Sequence, residues 1–313
     1  MDTLVVGLLN GVVYGLLLFM VSAGLTLVFG MMGVLNFAHA SFYMLGAYFA
    51  YALQNTLGFW GALVVSPLIV GAIGVIVERF ILRRVHHYGH AHELLLTFGL
   101  SFIIAELVKL FFGNYPVNYR VPPSLDFAAF AIGRANYPFY RLLMGGVAIA
   151  MFVLIYLLLT RTRVGIVVRS AIYKPRMAEA LGHNVPLVFM AVFGFGAALA
   201  ALAGAVAGAF YTTNPNMAIE LGVVVFVVVV VGGLGSLEGA MLASLLIGVI
   251  TSLTVGVDAT LADLFGLVGA RNWAEDIGGL FTLKLSSLAG TIPFALMLLV
   301  LLVRPSGLLG EKA

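Results

Sequence analysis

The chain has 313 residues, of which 62% are hydrophobic and only 9% are charged, and its mean hydropathy is +1.13. A soluble globular domain carries roughly 25% charged residues, so this composition excludes a water-soluble protein and predicts a polytopic membrane protein. The absence of cysteine excludes disulfides, thiolate metal sites and cysteine nucleophiles. The formal net charge of +3 is small and indicates no nucleic-acid partner.

Apolar segments follow one another along the whole chain, most of them near the roughly 20 residues that a helix needs to cross the hydrocarbon core. They are Leu4–Phe29, Val34–Leu53, Phe59–Leu82, Leu94–Gly113, Phe139–Thr160, Leu187–Tyr211, Gly222–Gly235, Gly239–Val255 and Leu288–Val303. The seventh and eighth are short and meet at the sequence GSLE. We therefore predict an all-α fold, a polytopic membrane helical bundle of about eight to ten transmembrane helices with broken helices, forming a single domain over residues 1–313.

Basic residues cluster at the ends of the third, fifth and last of these segments. The cluster comprises Arg79, Arg83, Arg84, Arg161, Arg163, Arg169, Lys174, Arg176, Arg304 and Lys312. Cytoplasmic loops carry an excess of Lys and Arg, so we expect these ends on the cytoplasmic side. The N-terminus and the loops Asn114–Pro138 and Gly256–Ser287 would then lie outside.

The segment of about residues 161–186 is too polar to cross the membrane and is long enough for one or two short helices. Pro175 suits the first turn of a helix, where its missing N–H leaves no hydrogen bond unmade. Met177, Ala180 and Leu181 then share one helix face, and the glycine that follows them is a stop signal. We predict a short amphipathic helix exposed on the cytoplasmic side.

Polar residues and glycines interrupt the second apolar segment, in the sequence GMMGVLNFAHASF. Irregular backbone at membrane depth is tolerated only where protein buries it or where it lines a water-filled cavity. We therefore expect a broken helix that faces the interior of the bundle. Asn36 and His39 either contact a transported solute or hold the break in shape.

A similar pattern recurs in the second half of the chain, in the sequence VGGLGSLEGAMLASLLIG, Val231–Gly248. Paired glycine-interrupted apolar segments in the two halves of a transporter indicate the permeation path. The candidate residues of a translocation path are therefore Gly33, Asn36, His39, Ser41, Gly232, Gly233, Gly235 and Ser236.

Sequence motifs of nucleotide and metal chemistry are missing. None of the four lysines follows a glycine, so no Walker A loop is possible, and no H-E-x-x-H motif occurs. The sequence HHYGHAHE, His86–Glu93, is compatible with a metal site or with a solvated cytoplasmic loop, of which we favour the loop. We expect that this chain is not an enzyme and that it contains neither a catalytic residue nor a metal site.

Two pairs of charged residues lie in or beside the apolar segments. Glu106 and Lys109 are three residues apart and share a helix face, so we expect a structural ion pair. Glu78 and Arg79 lie at a predicted helix end, where long side chains extend toward the aqueous interface.

The first half contains a stretch that closely resembles the signature of branched-chain amino acid ABC transporter permeases of the LivH type: GLTLVFGMMGVLNFAHASFYMLGAY, Gly24–Tyr48. Further matches follow in the same order. They are VVRSAIYKPRMAEALGHN (Val167–Asn184), FGAALAALAGAVAGAFYTTNP (Phe195–Pro215), VVVVVGGLGSLEGAMLASLLIG (Val227–Gly248) and MLLVLLVRPSGLLG (Met297–Gly310). The resemblance covers essentially the whole chain.

The resemblance implies a permease subunit of an ATP-driven importer for branched-chain or related amino acids in the bacterial inner membrane. It implies a second, LivM-like permease, two LivG/LivF-like ATPase subunits that bind Mg-ATP, and a periplasmic substrate-binding protein. This chain itself would carry no cofactor. The predicted cytoplasmic helix matches the segment that such permeases dock into an ATPase, and the coupling candidates are Ala171, Arg176, Met177, Ala180, Leu181 and Gly182.

Other transport functions are compatible with the same residues. The family also includes permeases for urea or amides, and the Gly/Asn/His breaks could form the constriction of a passive channel for a small neutral solute. An ion-coupled secondary transporter usually needs a carboxylate at the bilayer midplane, for which Glu106 and Glu238 are the candidates.

Overall fold

The computed structural model describes residues 2–132, 135–173, 175–256, 259–266, 269 and 271–310. Long apolar helices make up most of this structure. The first half contains α1 (Asp2–Met32), α2 (His39–Val77), α3 (Arg83–Val85), α4 (His90–Phe112) and α5 (Phe139–Arg161). A π-helical turn, Glu78–Leu82, joins α2 to α3, and a 3-10 turn, His86–Tyr88, leads into α4.

The second half begins with short helices and continues with long ones. Its helices are α6 (Arg163–Tyr173), α7 (Pro175–Ala180), α8 (Val185–Gly208), α9 (Met217–Gly232), α10 (Leu237–Gly256), α11 (Leu261–Gly266), α12 (Arg271–Ile277) and α13 (Ile292–Val303). Two 3-10 segments, Gly279–Thr282 and Leu285–Thr291, precede α13.

A small antiparallel hairpin precedes α5, in the loop predicted to lie outside. Its strands are β1 (Ala128–Ile132) and β2 (Ala135–Pro138), with Phe130 opposite Tyr137. The sequence prediction treated this segment as a loop and missed these strands. The structure otherwise confirms the predicted all-α membrane bundle.

The longest helix, α2, is folded back on itself at Gly58. A straight helix of its 39 residues would be roughly 58 Å long, against a hydrocarbon core of about 30 Å. Gly58 has φ 69° and ψ 174°, and Ser66 Oγ donates a hydrogen bond of 2.6 Å to the carbonyl oxygen of Gly46. Because residues 20 positions apart are in contact, the two arms of α2 run antiparallel.

Seven helices in the described part of the chain are long and apolar enough to cross a membrane, judged by length and composition. One of them extends from His39 to Tyr88 through the fold at Gly58, so it contributes two segments. The apolar helix α9 is shorter and begins at Met217 rather than at the predicted Gly222. Within the described ranges, each of the nine predicted apolar segments therefore has a helical counterpart.

Every second connection between successive helices lies at the same end of the bundle. A Cβ added to Gly33 would lie 3.7 Å from Cε1 of His90, and Arg83 Nη2 donates a hydrogen bond of 2.8 Å to the carbonyl oxygen of Pro186. At the opposite end, the loop before β1 pairs with the loop after α8. The helices therefore alternate in direction, as nine successive passes require.

We call the first of these ends the basic end, because the turns that meet there carry the described members of the predicted cytoplasmic cluster. These are Arg79, Arg83, Arg84, Arg161, Arg163, Arg169, Arg176 and Arg304. Lys174 and Lys312 lie outside the described residues. The cytoplasmic location of this end stays a prediction from the charge rule.

Helix α8 lies at the centre of the fold and packs on both arms of α2 through small residues. A Cβ added to Gly204 would lie 1.8 Å from the carbonyl oxygen of Tyr43, and one added to Gly46 would lie 2.2 Å from that of Ala201. Small residues of this kind let membrane helices approach until their backbones touch. This contact fixes the start of α2 in the middle of the bundle.

Candidate functional site

The helix break predicted near residues 30–41 is present and lies between α1 and α2. The carbonyl oxygen of Phe29 accepts a hydrogen bond of 2.8 Å from the Gly33 N–H. Gly33 then adopts φ 67°, a left-handed conformation that favours glycine. Residues 34–38 are not helical, and His39 is the first residue of α2.

The start of α2 lies at mid-depth in the bundle. A Cβ added to Gly24 would lie 2.8 Å from His39 Cε1 and 2.4 Å from the carbonyl oxygen of Gly196, so these three residues are in close contact. Gly196 is at the middle of α8, which spans Val185–Gly208. The chain therefore turns at Gly33 near the basic end and returns into the bundle before α2 begins.

Three hydrogen bonds hold the break in place. His39 Nε2 donates to the carbonyl oxygen of Val21 at 3.0 Å. Asn36 Oδ1 accepts from the backbone N–H of Ala38 at 3.0 Å. The Phe37 N–H donates to Thr97 Oγ1 on α4 at 3.2 Å, so the break is tied to α4 as well. These contacts stabilise the break.

The same side chains also carry polar atoms that the described structure leaves without a partner. These atoms are Asn36 Nδ2, His39 Nδ1 and Ser41 Oγ, in residues whose exposed fractions are 4%, 1% and 1%. A buried polar group without a hydrogen bond costs roughly 1–3 kcal/mol. These three groups lie within six residues of one another, so the break keeps polar side chains inside the bundle at a cost in stability.

A cavity of about 190 Å³ lies between the break, α4 and α9, and Asn36, His39 and Ser41 are among the residues that line it. Its lining is predominantly apolar and, in the described part of the chain, includes no charged residue. The lining comprises Leu25, Leu35, Asn36, Phe37, His39, Ala40, Ser41, Phe98, Ser101, Phe102, Ala105, Ala218, Ile219, Gly222, Val223, Val225 and Phe226.

Aromatic side chains cover one side of this cavity. The Phe37 ring stacks on Phe226 with centroids 5.8 Å apart and contacts Phe98 edge-on at 6.3 Å. Phe98 in turn contacts Phe102 at 5.0 Å. The sequence prediction missed the contributions of α4 and α9, because single apolar residues in apolar helices carry no signal of the cavity that they line.

The predicted path residues of the second half lie elsewhere. Gly232 ends α9, and Gly233, Gly235 and Ser236 lie in the turn that leads to α10, with Gly233 at φ 103° and Gly235 at φ 86°. A Cβ added to Gly30 would lie 2.9 Å from Gly235 Cα, so the two glycine-rich breaks touch at the basic end. None of these four residues lines the cavity at the start of α2.

The second break packs against the last described segment of the chain. A Cβ added to Gly233 would lie 2.4 Å from the backbone nitrogen of Gly310, and the Leu308 N–H donates a hydrogen bond of 2.8 Å to Val231. This close contact requires glycine at Gly233. It gives the second break a packing role at the basic end.

The predicted amphipathic helix is present as α7, which begins at Pro175 as expected. Met177 and Leu181 are 57% and 72% exposed, respectively, and Arg176 and Ala180 are exposed as well. Gly182 has φ 86° and ends the helix. The segment therefore presents apolar side chains at the basic end.

Ala171 differs from the other coupling candidates. It is fully buried and forms a small apolar cluster with Ala178 and Val185. Ala171 therefore holds α6 against α7 and α8, and its surface is not available for an external contact in this structure.

The buried Glu78 has a different partner from the one its sequence position suggests. Its carboxylate forms an ion pair of 2.7 Å with Arg83, five residues further on, and only 2% of its side chain is exposed. A π-helical turn hydrogen-bonds residues five positions apart, which brings these two side chains to one face. The expectation that Glu78 and Arg79 extend to the interface is wrong for Glu78.

The histidine-rich sequence is more ordered than the predicted solvated loop. Glu93 is only 1% exposed and accepts hydrogen bonds from His86 Nδ1 and, at 3.4 Å, from His90 Nδ1. The described residues contain no cluster of three or more metal-ligating side chains. Glu106 and Lys109 form the expected ion pair at 2.7 Å on the surface of α4.

A helical membrane bundle with a broken helix at mid-depth beside a cavity is typical of a solute transporter. The sequence matches the family described as "Branched-chain amino acid transport system / permease component" over residues 7–301. The chain therefore belongs to this family of membrane permease components, and the resemblance seen in the sequence is confirmed.

Two curated relatives show how far the similarity extends. The high-affinity branched-chain amino acid transport system permease protein LivH of Escherichia coli K12 is 30% identical over 318 residues, covering 96% of this chain and 94% of the relative. The corresponding permease protein BraD of Pseudomonas aeruginosa is 29% identical over 327 residues, with coverages of 97% and 95%. Among solved structures, PsaBC from Streptococcus pneumoniae in complex with Fab shares 14% identity and a TM-score of 0.46, covering 95% of this chain and 91% of that chain.

Proposed function

We propose that this chain is the membrane permease subunit of an ATP-driven ABC importer and forms part of the translocation path for branched-chain or related amino acids. LivH and BraD are named as permeases of high-affinity branched-chain amino acid transport systems, which supports this substrate class. The chain would act in the bacterial inner membrane with a LivM-like permease, two LivG/LivF-like ATPases that bind Mg-ATP, and a periplasmic binding protein.

The observation that carries the proposal is the broken helix at mid-depth. The break brings Asn36, His39 and Ser41 to a cavity between the break, α4 and α9, with a polar atom of each side chain unpaired in the described structure. Ion-coupled transporters usually place a carboxylate near the midplane. Here the lining carries no charge among the described residues, and Glu106 lies on the surface, paired with Lys109.

The exposed face of α7 supplies the surface through which ATP hydrolysis would act. Met177 and Leu181 are four residues apart, so they share one side of the helix, and both are largely exposed. Exposed apolar side chains at the basic end, beside Arg176, fit a contact with another protein. We infer that this face docks into an ATPase subunit and that Ala180 and Gly182 border the contact.

The apolar wall of the cavity favours an aliphatic solute over urea or a small amide. Phe98, Phe102 and Val223 present hydrocarbon surface, which binds an aliphatic side chain through the hydrophobic effect. Urea has no apolar group to use this surface.

The test is uptake of radiolabelled leucine into proteoliposomes. We expect accumulation only when this chain is assembled with both ATPases, the second permease and the binding protein, and only with ATP present. Downhill leucine or urea flux through this chain alone would instead indicate a passive channel and refute the importer proposal. A Walker-lysine variant of the ATPases is the matched control, because the complex still assembles but cannot hydrolyse ATP.

A further inference from the structure

The cavity opens at the surface of this chain, between α4 and α9. Residues on both sides of the opening are about half exposed, Phe98 and Phe102 on α4 and Ile219 and Val223 on α9. The chain alone therefore leaves one side of the cavity uncovered. We call this surface the α4–α9 face, and it comprises Phe37, Phe98, Phe102, Glu106, Ile219 and Val223.

The broken helix reaches this face inside the hydrocarbon region. Residues 34–38 are not helical, and Phe37, which lies among them, is 46% exposed. Phe37 is two residues before the start of α2, which lies at mid-depth in the bundle. Irregular backbone that faces lipid does not occur at this depth, because hydrocarbon offers its N–H and C=O groups no hydrogen bond. Protein or water, rather than lipid, therefore covers this face at the break.

Two charged side chains lie further along the same side of α4. Phe98, Phe102 and Glu106 are spaced four residues apart, so they share one side of this helix. Phe102 lines the cavity and also a second groove that contains Glu106 and Lys109, so the two recesses adjoin. Glu106 is six residues, or roughly 9 Å, from the end of α4, whose 23 residues span about 34 Å. It therefore lies within the hydrocarbon core of about 30 Å.

An exposed ion pair at this depth excludes lipid as its neighbour on physical grounds. The Glu106 side chain is 68% exposed, although Lys109 donates to it at 2.7 Å. Ionisable side chains within membrane-spanning helices almost always face the interior of a bundle or a water-filled cavity. The exposed side of α5 differs, because it presents apolar residues such as Ile149 and Leu154 on a regular helix. That side suits lipid, whereas the α4–α9 face does not.

The chemistry of the α4–α9 face fits a protein neighbour rather than bulk water. Its half-exposed phenylalanine, isoleucine and valine side chains form an apolar surface of the kind that marks a protein contact. Glu106 and Lys109 carry opposite charges, so a partner's polar group of either sign finds a complement there. Because the face lies at the depth of the hydrocarbon core, the partner is itself a membrane protein. In the complex proposed above, the ATPases and the binding protein lie outside the membrane, which leaves the second permease.

We propose that the α4–α9 face is the contact surface for the second permease subunit, and that this subunit closes the open side of the cavity. The cavity is then a half-site that is incomplete in this chain alone. The assignment rests on the proposed function and adds to it the residues through which the two permeases meet.

Site-specific photo-crosslinking of the complete complex in nanodiscs tests this contact. Benzoylphenylalanine replaces Phe102, one aromatic side chain for another, and in a matched variant it replaces Ile149, which is similarly exposed on α5. We expect ultraviolet light to link position 102 to the second permease and position 149 to lipid. A lipid adduct at position 102, a link from position 102 to a second copy of this chain, or equal links to the second permease from both positions would overturn the proposal.

Added bulk tests the same contact without a photoreactive group. Ile103→Trp places a large side chain beside Glu106 in the second groove, whereas Ile149→Trp places it on the apolar side of α5. Both isoleucines are more than half exposed. Overpacking a protein contact weakens it, so we expect Ile103→Trp to reduce co-purification of the second permease about tenfold and Ile149→Trp to leave it unchanged. Equal co-purification with the two variants would contradict the contact.

The outcomes separate the contact surface from the proposed function. If the wild-type complex shows no ATP-dependent leucine uptake, the proposed function fails, whatever position 102 contacts. If the complex takes up leucine but position 102 links to lipid, only the assignment of the α4–α9 face fails.

Discussion

The contact between α2 and α8 makes a quantitative prediction about Gly204. A Cβ at this position would lie 1.8 Å from the Tyr43 carbonyl oxygen, whereas ordinary contacts begin near 3.4 Å. In Gly204→Ala the two backbones must therefore separate by about 1.6 Å, the difference between these distances. Overpacking of this kind costs roughly 1–3 kcal/mol, and we expect the upper end because backbone atoms on both sides cannot move independently.

Thermal unfolding of the purified protein in detergent measures this loss. The matched control is Gly146→Ala on α5, because a Cβ there meets nothing within 4 Å and alanine favours a helix over glycine by up to about 1 kcal/mol. We expect Gly204→Ala to lower the unfolding temperature and Gly146→Ala to leave it unchanged or raise it. Equal unfolding temperatures for the two variants would refute the close packing that positions the start of α2.

Three further predictions concern coupling, the buried ion pair and the cavity. Leu181→Asp should leave insertion and folding intact, because this residue is 72% exposed. It should abolish leucine-stimulated ATP hydrolysis by the assembled complex. Normal stimulation would contradict the docking role of α7. Arg83→Met should destabilise the protein by about 2–4 kcal/mol in thermal unfolding, because it leaves the Glu78 carboxylate buried without its cation and removes the hydrogen bond to the Pro186 carbonyl. Adding Glu78→Gln to the same chain should recover part of this loss. If the two changes simply add, the ion pair makes no contribution of its own. Ala105→Phe fills the cavity and should reduce uptake of leucine more than uptake of alanine, measured side by side in proteoliposomes; an equal effect on both amino acids would show that side chains do not enter this space.

The break before α2 and the start of α7 could be predicted because each depends on residues with a strong local preference. Gly33 adopts a positive φ, and Pro175 opens a helix where its missing N–H is harmless. The apolar segments were predictable for a similar reason, since the bilayer requires a nearly continuous apolar run for each pass. These features are local, so a single sequence reveals them.

Features that arise from tertiary contact were not predictable. The Phe37–Phe226 stack joins residues that are far apart in the chain, and nothing in either neighbourhood distinguishes them from other apolar residues. Glu78 pairs with Arg83 because a π-helical turn changes the spacing of the helix face. The sequence interpretation paired the two glycine-rich breaks as parts of one path, whereas the structure brings them into contact at Gly30 and Gly235, apart from the cavity.

Solvent access to the cavity tests the central claim most directly. The sequence has no cysteine, so Ser101→Cys introduces a single thiol into the cavity lining, and Ser244→Cys places one at a buried position outside it. In the assembled complex, we predict that a hydrophilic, membrane-impermeant thiol reagent labels Ser101→Cys at a rate that changes with ATP and falls with bound leucine, while Ser244→Cys stays unlabelled. Labelling of Ser101→Cys only by a lipid-soluble reagent, at a rate independent of ATP and leucine, would place the cavity against lipid and contradict a translocation path through it.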